Sequence, residues 1–375
     1  MIVSRAIQYG FEQLLTAHVE VYLVGGAVRD LFLQKESADF DFVTTEPLDK
    51  LRARVKHATY IDTNQPLVTI NSPYGVFEVS ALNSRLYDNL SARDFTMNAC
   101  ALDANGVVID PFHGRAALEK GQLQTVRPTS LREDPLRVLR AIRFSVEYDL
   151  TRTTIRQEID GAKTSVQQVA NERIGKEVER AIMSDSWLTI FEQLCEEQIL
   201  PAFASCSKLE VATVDLNNPL SQMERWLVVH QLLGFEEVVF PYKAWGYGKG
   251  YHKKVSQLLQ VVNRRVERMP TDVELFYEGL ANHLSAENVH QAITAEGRSR
   301  HKELVKRFNQ LPIQSLRDLA ITPTQMIDEL HVKPGPWIQR LLHTLAVFVI
   351  NKEIVNDKKL LLHKARELYD ETSIT

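Results

Sequence analysis

Two aspartates one residue apart, Asp39 and Asp41 in "DFDF", follow a glycine pair and an arginine, Gly25, Gly26 and Arg29 in "LVGGAVRD". Glycines at a strand end let backbone N–H groups approach an anion closely, and a helix starting there turns its positive end toward it. Arg29, on the first turn of such a helix, adds a guanidinium for phosphate oxygens. Residues two apart on a strand project from one face, so both carboxylates point together while Phe40 and Phe42 anchor the other face in a core. Gly-Gly turns and solvated aspartates are each common, and neither says much alone. Together they are what phosphoryl chemistry with two magnesium ions needs. One ion lowers the pKa of an attacking hydroxyl; the other clamps a triphosphate and stabilises leaving pyrophosphate. Glu78, in "GVFEVSA", brings a third carboxylate alongside if its strand pairs with the first.

A second group lies in "REDPLRVLRAIRF". Helical spacing predicts Asp134 and Arg137 on one face, with Arg140 and Arg143 continuing the series. An exposed helix laced with salt bridges has the same pattern. The chemical reading is an aspartate–arginine pair that reads a base edge. Cytosine offers its N4 amine to a carboxylate and N3 and O2 to a guanidinium, and adenine offers N6 and N1 in a similar relation. G and U reverse that order of donors and acceptors.

The elements that must position these groups change near residue 130. Before it, "VEVYLVGG", "DFDFVTT", "PLVTI" and "VFEVSAL" read as strands and "AVRDLFLQ" as a short helix. After it nearly everything reads as helix, including "EDPLRVLRAIRFSVEY" and "NERIGKEVERAIM", the latter with Asn171 as N-cap. No fixed-period repeat or low-complexity segment interrupts the pattern. The 375 residues, 44% hydrophobic and 25% charged, suit a soluble globular chain of two or more domains. No apolar run could span a bilayer, and no secretory signal is read at the N-terminus. Cys100, Cys195 and Cys206 form no CxxC pair, against a zinc ribbon or disulfide framework, and a reducing cytoplasm fits best.

The net charge of −4 excludes nucleic-acid binding by the whole surface but not by a local track. Between Tyr242 and Pro270 stand Lys243, Lys249, Lys253, Lys254, Arg264, Arg265 and Arg268 against Glu267 alone. Tyr242, Trp245, Tyr247 and Tyr251 are interleaved. A surface meeting phosphates and stacking on bases looks like this, and so does a solvated helix pair with aromatic core anchors.

With "LVGGAVRD", "DFDF", "ARDFTMNA", "DPFHGRAALEKGQLQTVR", "EDPLRVLRAIRF" and "ERIGKEVERA" in order, the chain resembles the class II tRNA nucleotidyltransferases, the CCA-adding group of the polymerase-β superfamily. The C-terminal "SLRDLAITPTQMIDELHVKPGPWIQRLL" looks like the tail of Gram-positive-type members. The match is strong from about residue 20 to 200, loose to about 315, and resumes after that. The resemblance implies an α/β nucleotidyltransferase head with a polymerase-β-like mixed sheet, followed by an all-α neck, body and tail in a seahorse shape. The expected bounds are 1–126, 127–196, 197–310 and 311–375. By similarity Gly25, Gly26, Arg29 and Arg93 contact nucleotide and Asp39 and Asp41 bind two Mg2+ ions, with Glu78 as a third carboxylate from its strand context. Asp134, Arg137, Arg140 and Arg143 form the base-reading helix, braced by Glu133. The tRNA acceptor and TΨC arms would lie along body and tail, with Lys249, Lys253, Lys254, Arg264 and Arg265 as contacts.

The implied reaction is attack of a tRNA 3′-hydroxyl on the α-phosphate of CTP, releasing pyrophosphate. One departure bears on specificity. Between the "FEV" strand and "ARDFTMNA" stands only "SALNSRLYDNLS", where full CCA-adding members carry a longer loop, and Ala92 replaces the first of an arginine pair. A short loop here is a feature of the CC-adding branch, whose members leave the A to a partner enzyme. CC addition is therefore expected. Full CCA addition with CTP and ATP is the alternative, since loops tolerate length change. A poly(A) polymerase would carry basic extensions absent here, and a non-catalytic RNA-binding descendant would not need the intact Asp39 and Asp41. The absence of any His-Asp dipeptide speaks against a fused phosphohydrolase domain.

Overall fold

Alternation in "DFDFVT" settles the central strand. Phe40 and Phe42 are buried on one face, and Asp41 looks out from the other. The computed structural model describes residues 4–37, 39–62, 66–200, 214–215, 218–294 and 299–373. The chain divides into two compact units, Met1–Ser207 and Lys208–Thr375.

In the first unit, β1 (Val21–Val24), β2 (Phe40–Thr44), β3 (Ala58–Ile61), β4 (Leu67–Ser72), β5 (Gly75–Ala81), β6 (Ala101–Asp103) and β7 (Val108–Ile109) form one mixed sheet. Its order is β3-β4-β5-β2-β1-β6-β7. Only β2 and β5 run parallel; the helix Leu48–Arg54 and the β3–β4 hairpin lie in the connection between them, as a parallel pair requires. In that register Asp41 stands opposite Glu78. On the far face Phe42 meets Phe11 edge-on at 5.4 Å and Phe40 meets Phe77 edge-on at 5.4 Å, so aromatic packing fixes the height of the carboxylate strand.

The helices Leu136–Glu147, Asn171–Met183 and Trp187–Glu196 follow in the same unit. Two local expectations are corrected here. Asp134 is not on the helix face. The helix Ser130–Glu133 ends at it, it is extended (φ −139°, ψ 94°), and the next helix starts after Pro135. Proline disfavours helical backbone at the residue before it, which is why the run breaks there. Asn171 is the first helical residue, and Ala170 takes the N-cap position.

Every regular element described in the second unit is helical. Ser221, Thr271 and Thr322 each start a helix through a reciprocal capping box, with Glu224, Glu274 and Gln325 at the third position. Around Gln222–Leu232 the core is aromatic: Trp226, fully buried, lies 4.9 Å from Phe240, 5.1 Å from Tyr242 and 6.0 Å from Trp245 between ring centroids. A second core gathers Met326, Leu345, Val349 and Leu361. Among the described residues no helix is long and apolar enough to cross a membrane.

Candidate active site

The glycine turn is shaped by what surrounds it. Gly25 has φ +77°, and a Cβ there would lie 2.5 Å from Nη1 of Arg93, so both backbone and space require glycine. Its N–H donates to the carbonyl of Cys100 at 3.2 Å, which ties the start of the helix Gly26–Phe32 to the end of the Thr96–Asn98 turn. Gly114 seats that turn from the other side; a Cβ there would stand 2.1 Å from the carbonyl oxygen of Thr96.

Arg29 is 7% exposed and fully directed. Nη1 donates to Asn98 Oδ1 at 2.8 Å, Nε and Nη2 to Asp30 Oδ1 at 3.0 and 2.8 Å, and the guanidinium lies 4.3 Å from the centre of the Tyr148 ring. Asn98 Nδ2 donates to Asp94 at 3.0 Å, and Arg140 donates to Asp94 from Nε at 2.7 Å. Arg29, Asn98, Asp94 and Arg140 thus form one buried chain of bonds, in which each group orients the next. Burial pushes the Asp94 carboxyl up, but the Arg140 charge and the bonds from Asn98, Phe95 and Arg140 outweigh it and hold the group below its usual range.

Asp39 is exposed just ahead of β2, Asp41 is half-buried within it, and Glu78 faces Asp41 from β5. Burial pushes the Asp41 carboxyl up; Arg93 opposes this and the Asp39 charge adds to it. Glu78 is raised by burial, then by the charges of Asp41 and Asp39. Negative groups crowded on one strand face are relieved by a divalent cation. Among the described residues no cluster of three or more His, Cys, Asp or Glu is close enough to hold a metal by itself. An incomplete oxygen set is how magnesium is usually held, by one or two carboxylates with substrate phosphates and water completing the shell. The residues present therefore fit a substrate-completed Mg2+ site. Beside them Arg93 keeps a buried Nε with no hydrogen-bond partner among the described residues, and Nη1 reaches the Asn98 carbonyl at 3.4 Å.

Arg137 is clasped to the segment before it. Nη2 donates to the Ala92 carbonyl at 2.8 Å, and Nη1 donates to Ser130 Oγ at 2.5 Å and to the Arg93 carbonyl at 3.4 Å, which leaves Nε–H and one Nη2–H for a ligand. Asp134 Oδ2 lies 4.0 Å from Arg137 Nε and accepts from Arg173 Nη2 at 2.7 Å. Arg140 and Arg143 are tied down instead. Arg140 pairs with Asp94 at 2.6 Å and lies 3.8 Å from Glu177; Arg143 pairs with Glu177 at 2.6 Å and Glu147 at 2.7 Å. Glu133, expected to brace this helix, instead accepts from Arg127 and Thr129.

A cleft of about 1010 Å³ brings together Gly26, Arg29, Asp39, Asp41, Arg93, Asp134, Arg137, Arg140 and Arg143. Glu78 is not among its lining residues. Seven arginines meet six carboxylates along its walls, so the cleft is polar and close to balanced before any ligand enters. Sequence reasoning singled out neither Arg173 nor Arg180, nor Glu177, Asn98 and Tyr148. The spacing 173, 177, 180 within "ERIGKEVER" was the available signal, one helical stripe of charge beside the arginine helix.

In the second unit, Lys253 and Lys254 line a niche of about 440 Å³ with Gly250, Gln257 and Asn282, and Lys249 is exposed. One expected tRNA contact is corrected: Arg265 is 6% exposed and pairs with buried Glu287 at 2.7 Å. Arg264 pairs with Glu278 and stays partly exposed. Tyr242 and Trp245 are core anchors, so they offer no surface for stacking on bases.

Comparisons with known proteins match both units. A family described as "Poly A polymerase head domain" matches residues 21–81 and 55–124, and one described as "tRNA nucleotidyltransferase domain 2 putative" matches 219–365. A CC-adding tRNA nucleotidyltransferase of Halalkalibacterium halodurans is 29% identical over 98% of this chain and 96% of its own. A CCA-adding enzyme of Geobacillus thermodenitrificans is 29% identical over 91% of each chain. The crystal structure of the Bacillus stearothermophilus CCA-adding enzyme in complex with CTP superposes with a TM-score of 0.85 at 27% identity, covering 98% of both chains. A Thermotoga maritima CCA-adding enzyme complexed with tRNA shares the fold, with a TM-score of 0.63 at 18% identity over 97% of this chain and 95% of its own.

Proposed function

We propose, for a chain that belongs to the class II CCA-adding family of tRNA nucleotidyltransferases, that it adds two cytidines from CTP to the tRNA 3′ end and stops there. A separate A-adding enzyme then completes the end in the cytoplasm. The N–H groups of the Gly25–Gly26 turn and the guanidiniums of Arg29 and Arg93 hold the triphosphate. Asp134 accepts the cytosine N4 amine, while Nε–H and the free Nη2–H of Arg137 donate to N3 and O2. The tRNA 3′-oxygen forms its bond to the α-phosphorus as the bond to the leaving pyrophosphate breaks. Asp39 and Asp41 would hold Mg2+ with the triphosphate, and the ions would supply a more acidic 3′-hydroxyl and charge neutralisation at the leaving group. Arg140 and Arg143, both held in ion pairs, act by fixing the helix that presents Arg137.

The clasp between Arg137 and the Ala92 carbonyl carries the CC reading. Ala92 caps the helix Leu86–Ser91, which ends the short connection from β5. The base reader is bonded directly to the segment where longer-loop members have a flexible lever, so its position stays set for the smaller pyrimidine. Supplying CTP, ATP or both to a tRNA without its CCA end, with magnesium, tests this at single-nucleotide resolution. Growth by two cytidines and no more with both nucleotides is expected; completed CCA would assign the full CCA-adding activity instead.

A further inference from the structure

Asp134 offers its carboxylate under two constraints. Oδ1 accepts the Leu136 N–H at 3.3 Å and Oδ2 accepts Arg173 Nη2 at 2.7 Å. Arg137, its neighbour on the arginine helix, does not hold it, since Nε is 4.0 Å away. A carboxylate has about four acceptor sites, so both oxygens keep a free lone pair whose direction is fixed by these bonds. A carboxylate with no such bonds rotates over a broad range of its last torsion. The arginine that restrains it comes from another helix, Asn171–Met183, whose Glu177, 2% exposed, is bonded to Arg143 and Arg180. The helix that carries the anchor is therefore held in place.

We propose that Arg173 determines specificity through Asp134: by holding Oδ2 it aims the remaining lone pairs at an amine set at pyrimidine distance. Adenine carries its amine on a larger ring system and meets the same oxygen only if the carboxylate turns, which breaks or lengthens the bond to Arg173. This inference rests on the reading of Asp134 as the base acceptor. Arg173 is a positioning residue, with its side chain 53% exposed, so its truncation leaves the fold standing.

The test measures kcat/KM for CTP and for ATP on a tRNA lacking its CCA end, with wild type, Arg173→Ala, Arg173→Lys and Asp134→Ala. In Arg173→Ala the CTP/ATP preference falls about tenfold, the loss of one charge-assisted hydrogen bond, while tRNA affinity and its salt dependence stay unchanged. Arg173→Lys recovers part of the preference, because it restores the charge without the guanidinium's fixed geometry. An equal loss on both nucleotides, or weaker tRNA binding with a shallower salt slope, would overturn the proposal and make Arg173 structural or a phosphate contact. If Asp134→Ala relaxes the preference and Arg173→Ala does not, only this inference fails. If neither does, the base-reading role of Asp134 fails with it.

Discussion

Two helices of this chain, one in each unit, carry arginines at close spacing, and only one set faces a cleft. In Leu136–Glu147, Arg137, Arg140 and Arg143 line the cavity, held by backbone carbonyls, Asp94 and Glu177. In Tyr251–Glu267, Arg265 turns inward to Glu287, Arg264 pairs with Glu278 while partly exposed, and Arg268 just beyond pairs with Glu274 at 2.6 Å. The exposed cations of that helix are lysines near its start, Lys253 and Lys254. What separates a ligand-facing arginine from a structural one is whether its guanidinium reaches open space. Arg137 lines the cleft with donors to spare, whereas Arg265 is 6% exposed and enclosed with its acid.

The carboxylate face should give the largest effect. Asp41→Asn is expected to lower single-turnover transfer by at least about a thousandfold, the scale of losing metal-assisted charge stabilisation, with tRNA binding retained. It should also raise the thermal midpoint. The raised Asp41 carboxyl favours the protonated form, so its contribution to stability is full below its ordinary value and lost as pH rises through the raised one. The amide removes that loss, and the gain in midpoint should be present at neutral pH and vanish in acid. A variant no more stable at neutral pH would contradict the crowding of charge on the strand.

Arg265→Ala tests the other helix. Removing one member of a buried pair should cost about 3–5 kcal/mol by denaturant unfolding, while the protein still folded binds tRNA normally. A loss of tRNA affinity without a loss of stability would restore Arg265 to the binding surface. Arg137→Ala should cost about 1–3 kcal/mol of base discrimination, the worth of a bidentate base contact, with little change in tRNA affinity. The smallest expected effect is at the lysines. Lys253→Ala and Lys254→Ala should each weaken tRNA binding a few-fold and reduce the salt slope by about one, with unfolding unchanged. A flat salt response of the wild type would dismiss the basic track.

Strands β1, β2, β4 and β5 and the helices around the cleft were legible because strand alternation and helical spacing are local signals: "DFDF" and "RVLRAIRF" announce their faces in a few residues. The short strands β3, β6 and β7, two to four residues each, are too brief to show a period and were not read. Asp41 opposite Glu78 was legible only as a condition, because pairing depends on a crossover the chain does not spell out. Pro135 was a visible warning that Asp134 would leave the helix. The fates of Arg264 and Arg265 were not legible, because their acids lie ten or more residues away on other helices. The interleaved aromatics read equally as stacking platform or core until Trp226 supplied their common partner.

That aromatic core also makes the second unit its own optical probe. Of four tryptophans, Trp226 and Trp245 sit in it, buried among Phe240, Tyr242 and Tyr247, while Trp187 is buried in the first unit and Trp337 is partly exposed. Tyrosine rings 5.1 to 6.4 Å from Trp226 and Trp245 pass excitation to them, so in a Trp187→Phe variant the blue-shifted emission should report melting of this unit rather than RNA contact.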